Sequence, residues 1–223
     1  MNTEKPYSGP APETSGRTIP WASFYDPIVW LLSLGKARAF RKAMIERAQI
    51  KPGDRVLDVG CGTGDLAMAA KALAGPAGEV HGIDASPKMI AVARGKAAKA
   101  GTGVAFQVGL IEDISFPDDH FDVVLNTLMM HHLPDDLKRT GLAEISRVTK
   151  PGGRILIVDM ESTSSGSLSQ RLSDVMIQLH GGHMAAQDNV KKLIPLVQAA
   201  GFTGLDTGKI NRQLSFIVAE KEI

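Results

Sequence analysis

The segment RVLDVGCGTGDLA, residues 55–67, holds the residues best placed for ligand chemistry. Its apolar first half is typical of a strand that is buried on both faces. Gly60, Gly62 and Gly64 then allow the backbone to turn sharply and to approach a ligand with no side chain in between. A helix that begins at Thr63 or Gly64 directs free N–H groups and a positive dipole end at that ligand. The segment therefore predicts a nucleotide-type cradle at the carboxyl end of a parallel strand.

Two acidic residues accompany the glycine turn. Asp58 lies shortly before Gly60, and Asp84 ends the next apolar run, in EVHGID. A carboxylate at the end of that second strand can accept hydrogen bonds from both hydroxyls of a ribose. Asp84 could instead cap the helix that begins near Pro87, but Ser86 is sufficient for that cap. Ribose binding is therefore the favoured role of Asp84.

Histidines supply the candidate proton acceptors. His131 and His132 follow the fourth candidate strand, and either could remove a substrate proton, because imidazole titrates near neutral pH. The alternative is structural, with one of the two capping the next helix or packing beneath the loop. His180 and His183 flank a Gly-Gly pair, and the four histidines lack the carboxylates or cysteines that would favour zinc. We predict no metal ion, and we expect His180 and His183 to line a substrate pocket.

Alternating strands and helices must position these residues. Strand candidates are 55–59, 79–84, 104–108, 121–126, 154–159, 203–209 and 214–220, and helix candidates are 63–74, 86–100, 135–149, 167–180 and 189–200. Pro151, Gly152 and Gly153 predict a tight turn into the fifth strand. Alternating βα units predict a parallel sheet with helices on both faces. Ligands of such sheets bind beyond the carboxyl ends of the strands, where the glycine turn, Asp84 and the histidines would meet.

Before the first strand, two segments differ in composition. Residues 1–20 are polar and rich in proline and glycine, which predicts a flexible tail. Residues 21–48 have apolar side chains at helical spacing, with a break expected at Gly35. We expect residues 21–223 to form a single domain, with residues 21–48 as a helical lid over the acceptor pocket. Tyr25 and Trp30 are the candidates for substrate contact in this lid.

Composition excludes several classes of protein. The 223 residues include 25 Lys plus Arg and 24 Asp plus Glu, so no basic surface for nucleic acid is indicated. The longest apolar stretch, PIVWLLSLG, is too short to span a bilayer. The single cysteine, Cys61, fits a reducing compartment, and we expect a cytoplasmic protein. No base lies beside Cys61 in the sequence, so it is interpreted as a small residue in a crowded turn and not as a nucleophile.

Five segments together resemble the class I S-adenosylmethionine-dependent methyltransferases, and most of all the small branch that includes the ubiquinone/menaquinone C-methyltransferases. They are VLDVGCGTG, GIDASPKMI, FPDDHFDVV, LMMHHLPDD and EISRVTKPGGRILIVD, in the order of that family, and the resemblance covers roughly residues 25–220. It implies a Rossmann-like, doubly wound α/β fold with a mostly parallel seven-stranded sheet, helices on both faces and an N-terminal helical lid. The last two strands would form a hairpin-like pair, and the cofactor would be S-adenosylmethionine.

The same resemblance implies roles for individual residues. Catalytic assistance would come from His131, His132 or Tyr25, and substrate contacts from Trp30, Met129, His180 and His183. The cofactor would contact Asp58, Gly60, Cys61, Gly62, Thr63, Gly64, Asp84, Ala85, Met89, Leu110, Ile111, Glu112 and Asn126.

The segment after the third strand departs from the family pattern. Many relatives have an aspartate that accepts a hydrogen bond from the adenine amino group, and this chain has Leu110 at that position. Leu110 can pack on the adenine face, while the Ile111 N–H meets a ring nitrogen. Glu112 or Asp113 either replaces the missing acceptor or is a solvated loop charge.

The favoured function is methyl transfer to a small or lipid-like acceptor: a quinol or phenol, an amine or another nucleophile. One alternative is a Rossmann-type NAD(P)-dependent oxidoreductase, against which the spacing G-x-G-x-G argues, because the dinucleotide fingerprint is G-x-G-x-x-G. A second alternative is a non-catalytic protein that binds S-adenosylmethionine. The sequence is compatible with peripheral membrane contact and with a monomer or a homodimer.

Overall fold

A computed structural model describes residues 12–16, 22, 25–27, 35–160, 190–211 and 214–223. Within these ranges seven strands form one sheet. They are β1 (Arg55–Val59), β2 (Glu79–Asp84), β3 (Ala105–Val108), β4 (Phe121–Thr127), β5 (Thr149–Met160), β6 (Phe202–Lys209) and β7 (Leu214–Lys221).

The strand order is β3-β2-β1-β4-β5-β7-β6. Neighbouring strands from β3 to β5 pair in parallel, and β7 pairs antiparallel with both β5 and β6. The predicted mostly parallel sheet with a terminal hairpin is therefore confirmed. Strand order reverses at β1, between β2 and β4, and the crevice at such a reversal is where open α/β sheets bind ligands.

Helices cover both faces of the sheet. They are α1 (Ala37–Arg47), α2 (Asp65–Ala74), α3 (Pro87–Ala100), α4 (Asp135–Val148) and α5 (Val190–Ala199), with a short 3₁₀ turn at Met130–His132. Residues of α1, α2 and α3 share one buried cluster with Val56 of β1. Residues of α4 and α5 share the other cluster with Leu57 and Val59, because side chains alternate between the faces along a strand.

The boundaries differ from the prediction mainly at β5, which begins at Thr149 and not near residue 154. The predicted turn is present inside the strand, where Gly152 has a φ of 72°. Pairing with β4 jumps from Phe121–Thr149 to Val123–Arg154, so the extra residues are accommodated as a bulge. The helix expected at 167–180 lies outside the described residues.

The N-terminal helical region is described only in part. Ala22 and residues 25–27 are helical, and α1 begins after the expected break at Gly35, whose φ is 74°. Met44 and Ile45 of α1 are buried in the domain core, so this helix packs on the domain. The lid over the acceptor pocket stays a prediction. Among the helices in the described ranges, none combines the length and hydropathy needed to cross a bilayer.

Candidate active site

A cleft opens beyond the carboxyl ends of β1, β2, β3 and β4. It brings together most of the residues that the sequence assigned to cofactor and substrate. Eleven predicted residues line it: Tyr25, Gly60, Gly62, Asp84, Ala85, Met89, Leu110, Ile111, Glu112, Met129 and His132. Trp30, His180 and His183 lie outside the described residues.

The three glycines of the turn have different roles. All three have positive φ values, of 75° at Gly60, 53° at Gly62 and 83° at Gly64. A Cβ at Gly60 would lie 2.6 Å from Met129, and one at Gly64 would lie 2.5 Å from Phe106. A Cβ at Gly62 would meet nothing within 4 Å, although Gly62 lines the cleft. Gly60 and Gly64 therefore serve close packing, whereas Gly62 keeps space open for a ligand.

Asp84 holds the glycine turn and the next helix together. Its Oδ2 accepts a hydrogen bond from the Gly62 N–H at 2.9 Å, and its Oδ1 accepts one from the Ser86 N–H at 2.8 Å. Ser86 caps α3 by accepting from the Met89 N–H at 3.4 Å, so Asp84 is not needed as the cap. Burial raises the pKa of Asp84, and the two amides oppose that shift. The carboxylate is thus fixed in orientation, and each oxygen keeps a lone pair for a ribose hydroxyl.

The side chains of Asp58, at the end of β1, and Cys61, in the glycine turn, are buried and do not line the cleft. The side chain of Asp58 is buried, and neither carboxylate oxygen has a hydrogen-bond partner. Burial first, and the charge of Asp84 second, raise the pKa of Asp58 to about 7, and the Ala67 amide, which approaches the carboxyl without completing a hydrogen bond, opposes this rise. Burial also raises the pKa of the Cys61 thiol, which keeps it protonated and supports a packing role.

The turn after β3 presents one acceptor to the cleft. Leu110 and Asp113 form a backbone bridge that closes the turn. Ile111 is buried and packs so closely on Gly141 that a Cβ at Gly141 would clash with it. Asp113 is exposed. Glu112 faces the cleft, and its Oε2 is inaccessible to solvent and has no hydrogen-bond partner.

Residues near the N-terminus contribute contacts that the sequence did not indicate. The Thr14 hydroxyl donates to Glu112 Oε1 at 2.7 Å, and Thr14 and Gly16 both line the cleft. The described part of the expected tail is therefore in contact with the domain. Asp26 accepts a hydrogen bond from the Thr63 hydroxyl at 2.6 Å and pairs with Lys96 at 2.8 Å. Thr63 thus anchors the N-terminal helical region and does not line the cleft.

Tyr25, next to Asp26, does line the cleft. Burial first, then the charges of Asp84, Asp26 and Asp65, raise the pKa of the Tyr25 hydroxyl to about 12. Tyr25 consequently stays protonated near neutral pH. It is suited to donate a hydrogen bond and not to accept a proton.

The adjacent histidines occupy different environments. Both histidines are buried, and His132 lines the cleft whereas His131 does not. Asp159, at the end of β5, lies 2.6 Å from His131 Nδ1 and also accepts the His131 backbone N–H at 3.0 Å. The two imidazole rings have centroids 4.1 Å apart. Asp159, which the sequence analysis missed, therefore fixes the short turn that carries both histidines.

Asn126, at the end of β4, supports the glycine turn from below. Its side-chain NH₂ donates to the Val59 carbonyl at 3.0 Å, and its Oδ1 is buried without a partner. Asn126 is fully buried and does not line the cleft, contrary to its predicted cofactor contact. The space beside Gly62, the fixed Asp84 carboxylate and the unpaired acceptor on Glu112 fit a polar, nucleoside-containing ligand.

Comparisons with known proteins agree with this geometry. A family model described as a methyltransferase domain matches residues 56–153. The ubiquinone/menaquinone biosynthesis C-methyltransferase UbiE of Burkholderia orbicola is 38% identical over 138 residues, which are 62% of this chain and 56% of that protein. The 2-phytyl-1,4-naphtoquinone methyltransferase of Synechococcus elongatus is 37% identical over 151 residues, 67% of this chain and 64% of that protein. The chain thus spans less than two thirds of the length of these curated relatives.

A solved structure has the same fold. The SAM-dependent methyltransferase of Aquifex aeolicus has a TM-score of 0.67 at 21% identity, covering 81% of this chain and 88% of that one. S-adenosylmethionine is the cofactor of this family, and the Rossmann-type oxidoreductase is not favoured. Over residues 56–153 the chain matches the methyltransferase-domain family, and it resembles the UbiE branch of the class I S-adenosylmethionine-dependent methyltransferases.

Proposed function

We propose that this protein transfers the methyl group of S-adenosylmethionine to a quinol-type aromatic acceptor. Two curated relatives of the chain are named for ubiquinone/menaquinone biosynthesis and for 2-phytyl-1,4-naphtoquinone. The observation that carries the proposal is the division of the cleft. Asp84 ends β2, whereas the cleft residues Met129, His132 and Leu133 follow β4, and these two strands flank β1 on opposite sides.

When bound, the cofactor supplies a methyl group that is activated by its sulfonium. The protein then has to align the acceptor and exclude water. Asp84 would accept the ribose hydroxyls, because its two oxygens are already oriented by backbone amides. The apolar wall at Met129 and Leu133 would receive the ring and any attached lipid-like chain.

His132 is the proposed proton acceptor, because among the histidines that the structure describes it is the one that lines the cleft. Removal of a phenolic proton by its imidazole would raise the electron density on the acceptor ring, so that a ring carbon could take the methyl group from the cofactor sulfonium. That ring carbon would then lose its own proton and the oxygen would regain one. The acceptor would thus exchange one ring hydrogen for a methyl group, with one proton released overall. His131 and Asp159 hold the turn that positions His132, and Tyr25 donates a hydrogen bond to the acceptor.

The location, the oligomeric state and the remaining pocket residues are part of the same proposal. We expect a cytoplasmic protein, a monomer or a homodimer, that meets its acceptor as a free molecule or at a membrane surface. His180, His183 and Trp30 are proposed to complete the acceptor pocket. Size-exclusion chromatography with light scattering tests the oligomeric state directly.

The function is tested by incubating the protein with S-adenosylmethionine and separate panels of quinols, phenols, amines and thiols. Mass spectrometry of the products should show one added methyl group on a quinol, at a ring carbon. The Asp84→Ala variant is the matched negative control, since it should bind the cofactor poorly. Methylation of amines or thiols alone would overturn the quinol proposal, and no methylation of any acceptor would overturn the proposed activity.

A further inference from the structure

We infer that Glu112 is the acceptor for the 6-amino group of the cofactor adenine, and that Thr14 positions it. The inference rests on S-adenosylmethionine being the cofactor. The observation behind it is an unpaired polar atom at the cleft: Glu112 Oε2 is inaccessible to solvent and has no donor. A buried acceptor left without a donor is unfavourable, and a ligand N–H in the cleft would satisfy it.

The alternatives in the same turn are excluded by their placement. Leu110 has no polar side-chain atom, and Ile111 is buried against Gly141. Asp113 is exposed, and its backbone bridges to Leu110. Glu112 is therefore the one acidic side chain of this turn that reaches the cleft.

The surroundings of Glu112 suit a flat aromatic base. Ile83, Met89 and Leu110 also line the cleft and give it apolar surface. Asp84, the proposed ribose acceptor, is connected to the start of the turn, because the Gly109 N–H donates to the Asp84 carbonyl at 3.2 Å. A nucleoside held at Asp84 would place its base between these apolar side chains, with the base edge towards Glu112.

Thr14 limits the freedom of the Glu112 carboxylate. Its hydroxyl donates to Oε1 at 2.7 Å, and it accepts the Gly16 N–H at 3.1 Å. Oε1 is thus engaged, and Oε2 is the oxygen left for the ligand. The contact joins residues 98 positions apart, so ligand recognition after β3 depends on the N-terminal segment.

The test uses calorimetry with two probes: S-adenosylhomocysteine and its analogue with hydrogen in place of the 6-amino group. The wild-type protein should prefer S-adenosylhomocysteine by about 10- to 150-fold, the value of one hydrogen bond to a charged acceptor. Glu112→Gln should reduce this preference at least several-fold. Glu112→Ala, which removes both oxygens, should abolish it.

Three further variants separate base recognition from general effects. Asp113→Asn removes a charge from the same turn and should keep the wild-type preference. Thr14→Val, which lacks the hydroxyl, should weaken the preference for S-adenosylhomocysteine. Thr14→Ser, which keeps the hydroxyl, should retain the wild-type preference. Thermal unfolding of each ligand-free variant shows whether a loss of binding comes from a loss of folded protein.

The outcomes are distinct. The inference is overturned if the wild-type protein binds both probes equally, if Glu112→Ala keeps the preference, or if Asp113→Asn loses it to the same extent. Failure of the wild-type protein to bind either probe would instead overturn the assignment of the cofactor, and with it the proposed function.

Discussion

Replacing Asp58 with Asn should stabilise the ligand-free protein at neutral pH. The Asp58 carboxyl is buried without a hydrogen-bond partner, and its pKa is raised from 3.8 to about 7, by burial first and by Asp84 second. A shift of roughly three units corresponds to about 4 kcal/mol of stability at about 1.4 kcal/mol per unit. The change is isosteric, so packing around the side chain is retained.

The sign of this effect depends on pH. Because the pKa of Asp58 is higher in the folded state, the folded state binds more protons between about pH 4 and pH 7. The stability contributed by the protonated carboxyl is present below pH 4 and is lost as the pH rises towards 7. The advantage of Asp58→Asn should therefore grow by roughly 2–3 kcal/mol between pH 5 and pH 8, mostly before pH 7.

Urea unfolding of the two proteins at pH 5, 6, 7 and 8 measures this difference. Asp122→Asn is the matched control. Partial burial raises the pKa of Asp122, but hydrogen bonds from Lys150 and the Arg55 amide outweigh burial and lower it below 3.8 overall. Asp122 is therefore ionised in the folded and the unfolded state from pH 5 to pH 8, and the stability gap between Asp122→Asn and the wild type should stay constant over this range. A pH-independent gap for Asp58→Asn, or a less stable variant at pH 8, would refute the reasoning.

Three further predictions concern the cleft. Asp84→Ala should lower the affinity for S-adenosylhomocysteine about 30- to 1000-fold in calorimetry, because two hydrogen bonds to a charged acceptor are lost. An unchanged affinity would exclude the role of Asp84 in ribose binding. Gly64→Ala should reduce the free energy of unfolding by about 2–4 kcal/mol, because its Cβ would lie 2.5 Å from Phe106. Gly62→Ala should reduce the free energy of unfolding by only about 1–2 kcal/mol and should mainly weaken cofactor binding. Equal thermal stability of these two glycine variants would contradict the distinction. His132→Ala should keep the affinity for S-adenosylhomocysteine and lower turnover about 10²- to 10⁴-fold, and normal turnover would remove His132 as the proton acceptor.

The parts of the fold that the sequence predicted are those with a local signal. Strand β1 and the glycine turn are adjacent in the chain, and apolar runs ending in Asp84 and Asn126 marked the carboxyl ends of β2 and β4. Parallel pairing then brings those ends to one edge, so the cleft followed from strand order alone. The early start of β5 was missed, because a bulge continues the strand through a Pro-Gly-Gly sequence that otherwise indicates a turn.

Contacts between distant residues were not predictable in the same way. Thr14 meets Glu112 across 98 positions, and Asp26 meets Thr63 across 37. Neither pair has a periodicity or spacing that identifies its partner. Asp159 did carry a signal, because it ends the apolar run ILIVD much as Asp84 ends its own strand. An acidic residue at that position would have been a reasonable candidate for holding His131.

The negative charge of the cleft gives a physical reason why S-adenosylmethionine should replace S-adenosylhomocysteine after methyl transfer. Its described lining contains Asp84 and Glu112 and no lysine or arginine, and Asp58 is buried at the end of β1, before the glycine turn. S-adenosylmethionine brings a sulfonium and an ammonium to this acidic site, and methyl transfer converts the sulfonium to a neutral thioether. The attraction between the cleft and the cofactor therefore weakens when the reaction occurs. A positive ligand near the turn also favours the ionised form of Asp58. The charge of this buried carboxylate destabilises the ligand-free protein, and the positive charge of the bound methyl donor partly compensates it.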